Sequence, residues 1–165
     1  MALIPSQLDN EISLRLRIDA LNANYVHTID DDRLEDWPNF FTADGEYSIS
    51  TRENHEMGLP VCLVQCKGTG MFRDRITALR QANIFEPHTY CHSVSALHIS
   101  SASQGVIATK SNFTLVRTMS EGEMMLFAAG RYVDKIVDYN GELKFAERRV
   151  ILESRRIDTL LVIPI

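Results

Sequence analysis

The chain has 165 residues, 45% of them hydrophobic and 24% charged, and a formal net charge of −5. That balance excludes a disordered chain and, with no long apolar run, a helical membrane protein, while a chain of this length buries about 70% of its unfolded surface and reads as one domain over residues 1–165. Without clustered, uncompensated Lys and Arg there is no electrostatic reason to bind nucleic acid or an anionic membrane.

From Ser6 onward, Leu8, Ile12, Leu16, Ala20 and Ala23 recur three or four apart, which lays one apolar stripe on a helix running to about His27. Ser6, with Asp9 three later, can cap its start. Asp32 and Glu35 repeat the capping signature, and Pro38 disfavours helical geometry at Trp37, so a short second helix ends there. Gly45 to Thr51 reads as a strand. After an irregular stretch ending in Gly68 and Gly70, the run from Met71 to Asn83 places Ile76, Leu79 and Ala82 on one helical face, with Arg73, Arg75 and Arg80 interleaved.

The second half is dominated by β-branched and aromatic residues in four runs, His88 to Ser100, Val106 to Thr118, Met124 to Asp138 and Leu143 to Ile157. Asn140-Gly141 supplies the two positive φ angles of a tight hairpin, and Glu121-Gly122 closes the preceding one. Helices followed by a long antiparallel meander predict an α+β domain, with the helices gathered on one face of a strongly curved sheet. The expected shape is a cone, whose open end holds a ligand in an enzyme or is filled by side chains in a scaffold.

Three cysteines, Cys62, Cys66 and Cys91, are too few and odd in number for a disulfide framework. The start, Met1-Ala2-Leu3-Ile4-Pro5, has no cationic flank of an export signal, so the expectation is a cytoplasmic protein with reduced thiols. Cys62-x3-Cys66 offers two ligands where tetrahedral zinc wants four, and no second pair is suitably placed. Neither the Cys-x-His nor the Cys-x-x-His half of a Rieske site occurs. His88 and His92, with Asp74 or Asp44, are the nearest approach to a mononuclear iron triad, but on a strand two residues four apart lie about 13 Å from each other.

A general base in a cone can be built from a His oriented by a carboxylate, and His92 or His27 with Asp30, Asp31 or Asp44 are the available parts. The structural alternative makes His92 a satisfied wall residue and the Asp30 to Asp32 run a solvated helix boundary. The last strand carries Arg148, Arg149, Arg155 and Arg156 among Glu147, Glu153 and Asp158. Charge on both faces fits either a half-solvated sheet or a subunit interface in which Arg forks hold another chain's carboxylates. The segment from Thr159 through Leu160, Leu161, Val162, Ile163 and Pro164 to Ile165 is apolar enough to require burial, at about 1.5 to 3 kcal/mol per side chain, in its own core or on a neighbouring chain.

Taken together, Leu34-Glu35-Asp36-Trp37-Pro38-Asn39-Phe40-Phe41 with Asp44 and Tyr47, Met71-Phe72-Arg73-Asp74-Arg75-Ile76 with Leu79, Gly130-Arg131-Tyr132-Val133-Asp134, and Leu143-Lys144-Phe145-Ala146-Glu147-Arg148 resemble the small (β) subunits of aromatic-ring-hydroxylating dioxygenases, in the right order over nearly the whole chain. The resemblance implies a cystatin-like or nuclear-transport-factor-like cone with no catalytic residues of its own. It also implies a mushroom-shaped α3β3 assembly, with a homotrimer of small subunits as the stem. The Rieske [2Fe-2S] cluster, the mononuclear non-haem Fe(II) and the substrate pocket are then in the large α subunit, with electrons drawn ultimately from a nicotinamide cofactor. Trp37, Phe40 and Phe41 are suited to plug the cone behind the first helix. Arg75, set among apolar residues, suits a buried or interfacial carboxylate, so that Arg75, Arg148, Arg155, Leu160, Leu161, Ile163 and Ile165 are the expected contacts between subunits. Arg52-Glu53-Asn54, then Gly58-Leu59-Pro60 and Cys62-Leu63, resemble the branch acting on aromatic carboxylates such as salicylate, anthranilate or terephthalate.

Overall fold

The computed structural model describes residues 5–156 and 161–165, with side chains from Leu8 onward. Helix α1 (Pro5–Asp30) leads through a 3-10 helix (Leu34–Phe40) into strand β1 (Phe41–Thr51). A short helix α2 (Arg52–Glu56) and strand β2 (Val64–Lys67) precede α3 (Gly68–Gln81), and β3 (His88–Ser103), β4 (Val106–Met119), β5 (Met124–Tyr139) and β6 (Glu142–Leu152) follow. The strands form one sheet in the order β2-β1-β6-β5-β4-β3. β1 runs parallel to β6 and every other pair is antiparallel, so the sheet is mixed. Among the described residues no helix is long and apolar enough to cross a membrane.

The hairpin at Asn140-Gly141 forms as expected, with φ of 55° and 89° at the two central residues. β6 ends at Leu152 instead of running to Ile157, because the Ser154 hydroxyl bonds the backbone of Arg156 and turns the chain out of the ladder; Ile157 lies outside the described residues. β1 begins at Phe41, earlier than the expected Gly45, with an irregularity between Phe41 and Glu46. α2 and β2 fall in the stretch that reads as irregular. α2 is capped by the Thr51 hydroxyl, which accepts the Asn54 N–H, and β2 is a four-residue edge strand.

α1 turns a different stripe inward from the one its strongest periodicity marks. Leu8, Ile12 and Leu16 are 47%, 49% and 63% exposed. Ile18, Asn22, Tyr25, Val26 and Ile29, with Leu14 and Leu21 partly buried, pack on the sheet instead. Tyr25 and Val26 are bulkier than Ala20 and Ala23, so burying their face removes more apolar area from water. Of the expected plug, Trp37 and Phe41 are buried and Phe40 is only partly so, edge-on to Tyr25, while Trp37 meets Tyr47 and Phe72 edge-on at centroid distances of 5.0 and 5.1 Å.

The two central strands approach closely at Gly130. A methyl group there would lie 2.1 Å from the Ile151 carbonyl oxygen and 3.0 Å from the Phe113 ring. Gly130→Ala should therefore force β5 away from β6 and cost about 1 to 3 kcal/mol, as overpacked cores do. Urea unfolding measures it, and an unchanged midpoint would contradict this packing.

Candidate functional site

Two buried polar arrangements lie between the helices and the concave face of the sheet. The first is built on Arg148, whose side chain is wholly buried, as is that of Asp134. Its Nε and Nη2 donate to the two Asp134 oxygens at 3.0 and 2.8 Å, and Nη2 also donates to Asn22 Oδ1 at 2.5 Å. The guanidinium carbon lies 4.2, 4.1 and 3.9 Å from the ring centroids of Tyr25, Tyr132 and Phe145. Aromatic faces and a forked carboxylate thus replace the water that the cation loses. Burial pushes the Asp134 carboxyl above its usual range even against the pull of Arg148. Burial also opposes charge on Arg148, but Asp134 outweighs it and holds the guanidinium protonated.

Beside this pair the segment 161–165 enters the cone mouth. The Tyr25 hydroxyl accepts the Trp37 indole N–H at 3.1 Å and donates to the Ile165 backbone oxygen at 3.0 Å. Tyr47 brackets the same residue, accepting Ile165 N–H at 2.9 Å and donating to its oxygen at 3.1 Å. Arg75 Nη2 donates to the carbonyls of Leu161 and Val162 at 2.9 and 3.2 Å. Val162, Ile163 and Ile165 are all buried within the chain's own core.

Arg148, Ile163 and Ile165, expected as contacts to another chain, are therefore interior residues, and Arg75 serves a contact within the chain. The reason is that the cone needs apolar filling and a partner for Asp134, and these side chains supply both. Leu161 stays partly exposed, Arg155 makes an exposed ion pair with Glu53 at 3.0 Å, and Leu160 lies outside the described residues. Asn22, which nothing in the sequence singles out, and Asp134, which enters there only within the segment Gly130 to Asp134, complete the Arg148 site.

The second arrangement joins α1 to β3. Of the three carboxylates that the catalytic reading offers, Asp31 and Asp44 do not meet His92, and Asp30 does. Its Oδ1 lies 2.5 Å from His92 Nδ1, and its Oδ2 accepts the His92 backbone N–H at 2.8 Å. Both oxygens are thus spent fastening the end of α1 to the strand. Asp31 instead pairs with Arg33, and Asp44 accepts the Thr42 hydroxyl, both at the surface. The His92 side chain is 0% exposed, and its Nε2 has no protein partner. A hollow of about 420 Å³ borders α1 and β3 there, lined by His27, Asn22, Val26, Val94, Leu97 and His92 itself, whose side chain has no exposed surface in it and whose Nε2 is buried. An oriented imidazole with no accessible second nitrogen can brace a helix but cannot take a substrate proton. Among the described residues, no three His, Cys, Asp or Glu side chains gather to hold a metal.

Residues 10–149 match the family described as SnoaL-like domain. The chain is 42% identical over 158 residues to the anthranilate 1,2-dioxygenase small subunit of Burkholderia cepacia, covering 96% of this chain and 98% of that protein. It is 39% identical over 150 residues to subunit beta 2 of the terminal oxygenase component of terephthalate 1,2-dioxygenase from Comamonas sp, covering 91% and 97%. Among solved structures, the β subunit of a protein assigned as an aromatic-ring-hydroxylating dioxygenase from Novosphingobium aromaticivorans superposes with a TM-score of 0.86 at 34% identity, over 94% of this chain and 99% of that one.

Two outcomes follow from this geometry. Arg148→Met should cost about 3 to 5 kcal/mol, because it strands a buried carboxylate, whereas Arg148→Met with Asp134→Leu should regain most of the loss. Denaturant unfolding of the single and double variants measures the difference, and equal losses would show that charge pairing is not what holds the site. Tyr25 is pushed up to about 12 by burial, and Tyr47 and Tyr132 lie well above their usual range for the same reason. Phenols raised in the folded state contribute stability that is complete below their unfolded value of about 10 and lost as pH rises through the folded values. Stability should therefore fall from about pH 10 upward, with three of the five tyrosines ionising at 295 nm only as near-ultraviolet circular dichroism collapses. Five phenols titrating with the fold intact would contradict the burial.

Proposed function

The chain belongs to the SnoaL-like domain family and, within it, to the small (β) subunits of aromatic-ring-hydroxylating dioxygenases, and on that premise we propose that it is the structural subunit of a terminal oxygenase that hydroxylates an aromatic carboxylate. The observation that carries the structural role is the filled cone. Where an enzyme of this shape needs room for a substrate, Tyr25, Trp37, Tyr47, Tyr132, Arg148 and Ile165 occupy the interior with no exposed surface. The substrate class rests on the relatives, since anthranilate and terephthalate both carry a carboxylate on the ring.

Oxygen activation then belongs to a large partner subunit, holding a Rieske [2Fe-2S] cluster and a mononuclear non-haem Fe(II) fed by a nicotinamide-dependent reductase. The donors of this chain do not fit either centre. His92 is committed to Asp30, His88 Nδ1 lies 2.7 Å from the Glu86 carbonyl, and the three cysteines lack the paired histidine spacing of a Rieske site. The proposed assembly is an α3β3 complex in the cytoplasm, with a homotrimer of this chain at its base.

The His92–Asp30 pair motivates one rival, a stand-alone dehydratase, isomerase or cyclase. Turnover separates the two. Reconstituted with the large subunit and reductase, the His92→Gln variant should oxidise an aromatic carboxylate at the wild-type rate per assembled complex, and the chain alone should consume no oxygen. Loss of turnover by the assembled His92→Gln complex, or turnover of a cyclic substrate by the free chain, would overturn the structural reading.

A further inference from the structure

An open sheet ends in two rows of ladder groups that no strand takes up, and this one treats its two ends unequally. In the order β2-β1-β6-β5-β4-β3 the outer strands are β2, four residues long, and β3, with 16 residues. Brevity blunts the β2 edge, but an edge as long as β3 is a template for another strand unless something covers it. Helix α1 lies against β3, and two of its side chains reach the edge itself. Asp30 Oδ2 accepts the His92 backbone N–H at 2.8 Å, and Arg15 Nη2 donates to the Leu97 carbonyl at 3.0 Å. One side chain thus stands in for the acceptor of a neighbouring strand and the other for its donor. Asp19, one turn beyond Arg15, lies 4.0 Å from the Arg15 Nε.

The backbone of β3 is bent to make the second contact. The N–H and carbonyl of one residue point to the same side of an antiparallel strand, and successive residues alternate. With His92 turned away from β4, an unbroken strand would also turn Val94 and Ala96 outward and give the Leu97 carbonyl to β4. Instead Ser95 pairs with Asn112 and His98 with Lys110, so that Ala96 and Leu97 together face the single residue Ser111. Ala96 takes a φ of 52°, a left-handed conformation that its β-carbon disfavours. The bulge carries the Leu97 carbonyl out to Arg15 and keeps the apolar side inward across the change of parity: Tyr90 and Val94 before it, Leu97 and Ile99 after it, all pack on the core. Between the two contacts the edge borders the hollow of about 420 Å³, lined there by Val94, Ser95 and Ala96, which leaves room beside the outward Val94 N–H.

We propose that α1 is a latch on the free edge of β3: Asp30 and Arg15 occupy ladder groups of that edge, withhold them from a strand of any other chain, and so keep a long edge strand from recruiting one. Releasing the two side chains uncovers the edge. In a purified sample the strand then available to it is the same edge of another copy, and two such edges are self-complementary when antiparallel, each offering its outward N–H to the other's outward carbonyl. Both contacts lie within one chain, so the latch acts in the free subunit and is independent of the assembly proposed above.

Hydrogen exchange and aggregation of the purified chain test it. The His92 amide, bonded to Asp30 and not to a strand, should be protected as the ladder amides of β3 are, and Asp30→Ala should speed its exchange about tenfold or more. Asp30→Ala with Arg15→Ala should form β-rich aggregates well below its own Tm, at temperatures where the wild type stays dispersed. Lost stability alone also causes aggregation, and Val94→Pro separates the two causes. Proline there removes an outward N–H and obstructs strand addition while sparing the bonds to β4, and it does nothing to restore the latch. Added to the double variant, Val94→Pro should abolish the aggregation although Tm does not recover. Aggregation that persists or worsens with Val94→Pro would mean general destabilisation and overturn the latch. An unlatched chain as dispersed as the wild type, or a His92 amide that exchanges freely in the wild type, would overturn it as well.

Discussion

A guanidinium at the centre of the cone constrains what surrounds it. Desolvating the cation is tolerable only with a carboxylate in the fork, aromatic faces around the carbon and an amide oxygen on the remaining edge, and Asp134, Tyr25, Tyr132, Phe145 and Asn22 supply these from three elements. Helix α1 must then sit where Asn22 and Tyr25 reach β5 and β6. The choice of its buried face follows from that contact more than from its most regular apolar spacing.

Tyr25 extends the constraint outward. Its ring covers Arg148, and its hydroxyl links Trp37 to the Ile165 backbone. The plug behind α1, the charge pair and the segment 161–165 are therefore one connected unit, and the volume that a catalytic cone would leave for substrate is occupied by the chain's own side chains. The carboxylate and imidazole of the Asp30–His92 pair serve the same rigidity, tying the end of α1 to the edge strand β3.

Much of the fold is legible in the residues themselves. The Asn140-Gly141 hairpin, the aromatic plug and the four long strands rest on local chemistry, which sequence reports directly. The site is less legible, because it depends on register. An unbroken hairpin from Asn140-Gly141 would set Asp134 opposite Glu147, two acids facing each other. An extra residue, Ala146, between the Phe145 and Glu147 pairings shifts Arg148 into that position and turns it inward. Glu147, Arg148 and Arg149 would alternate faces on any strand; the bulge decides that Arg148 is the one turned inward, and no spacing rule announces it. The segment 161–165 was ambiguous for a related reason: apolar residues announce a need for burial without saying which surface meets it. α2 and β2 are too short for periodicity to separate them from loop.

A domain whose interior is closed by its own side chains is suited to holding other subunits in place. The most direct test is to express the tagged chain with its large-subunit partner and determine mass and iron in what co-purifies. The account predicts a stable iron-bearing complex that forms only when both chains are present, with no iron on this chain alone. A chain that purifies free of the large subunit would contradict it.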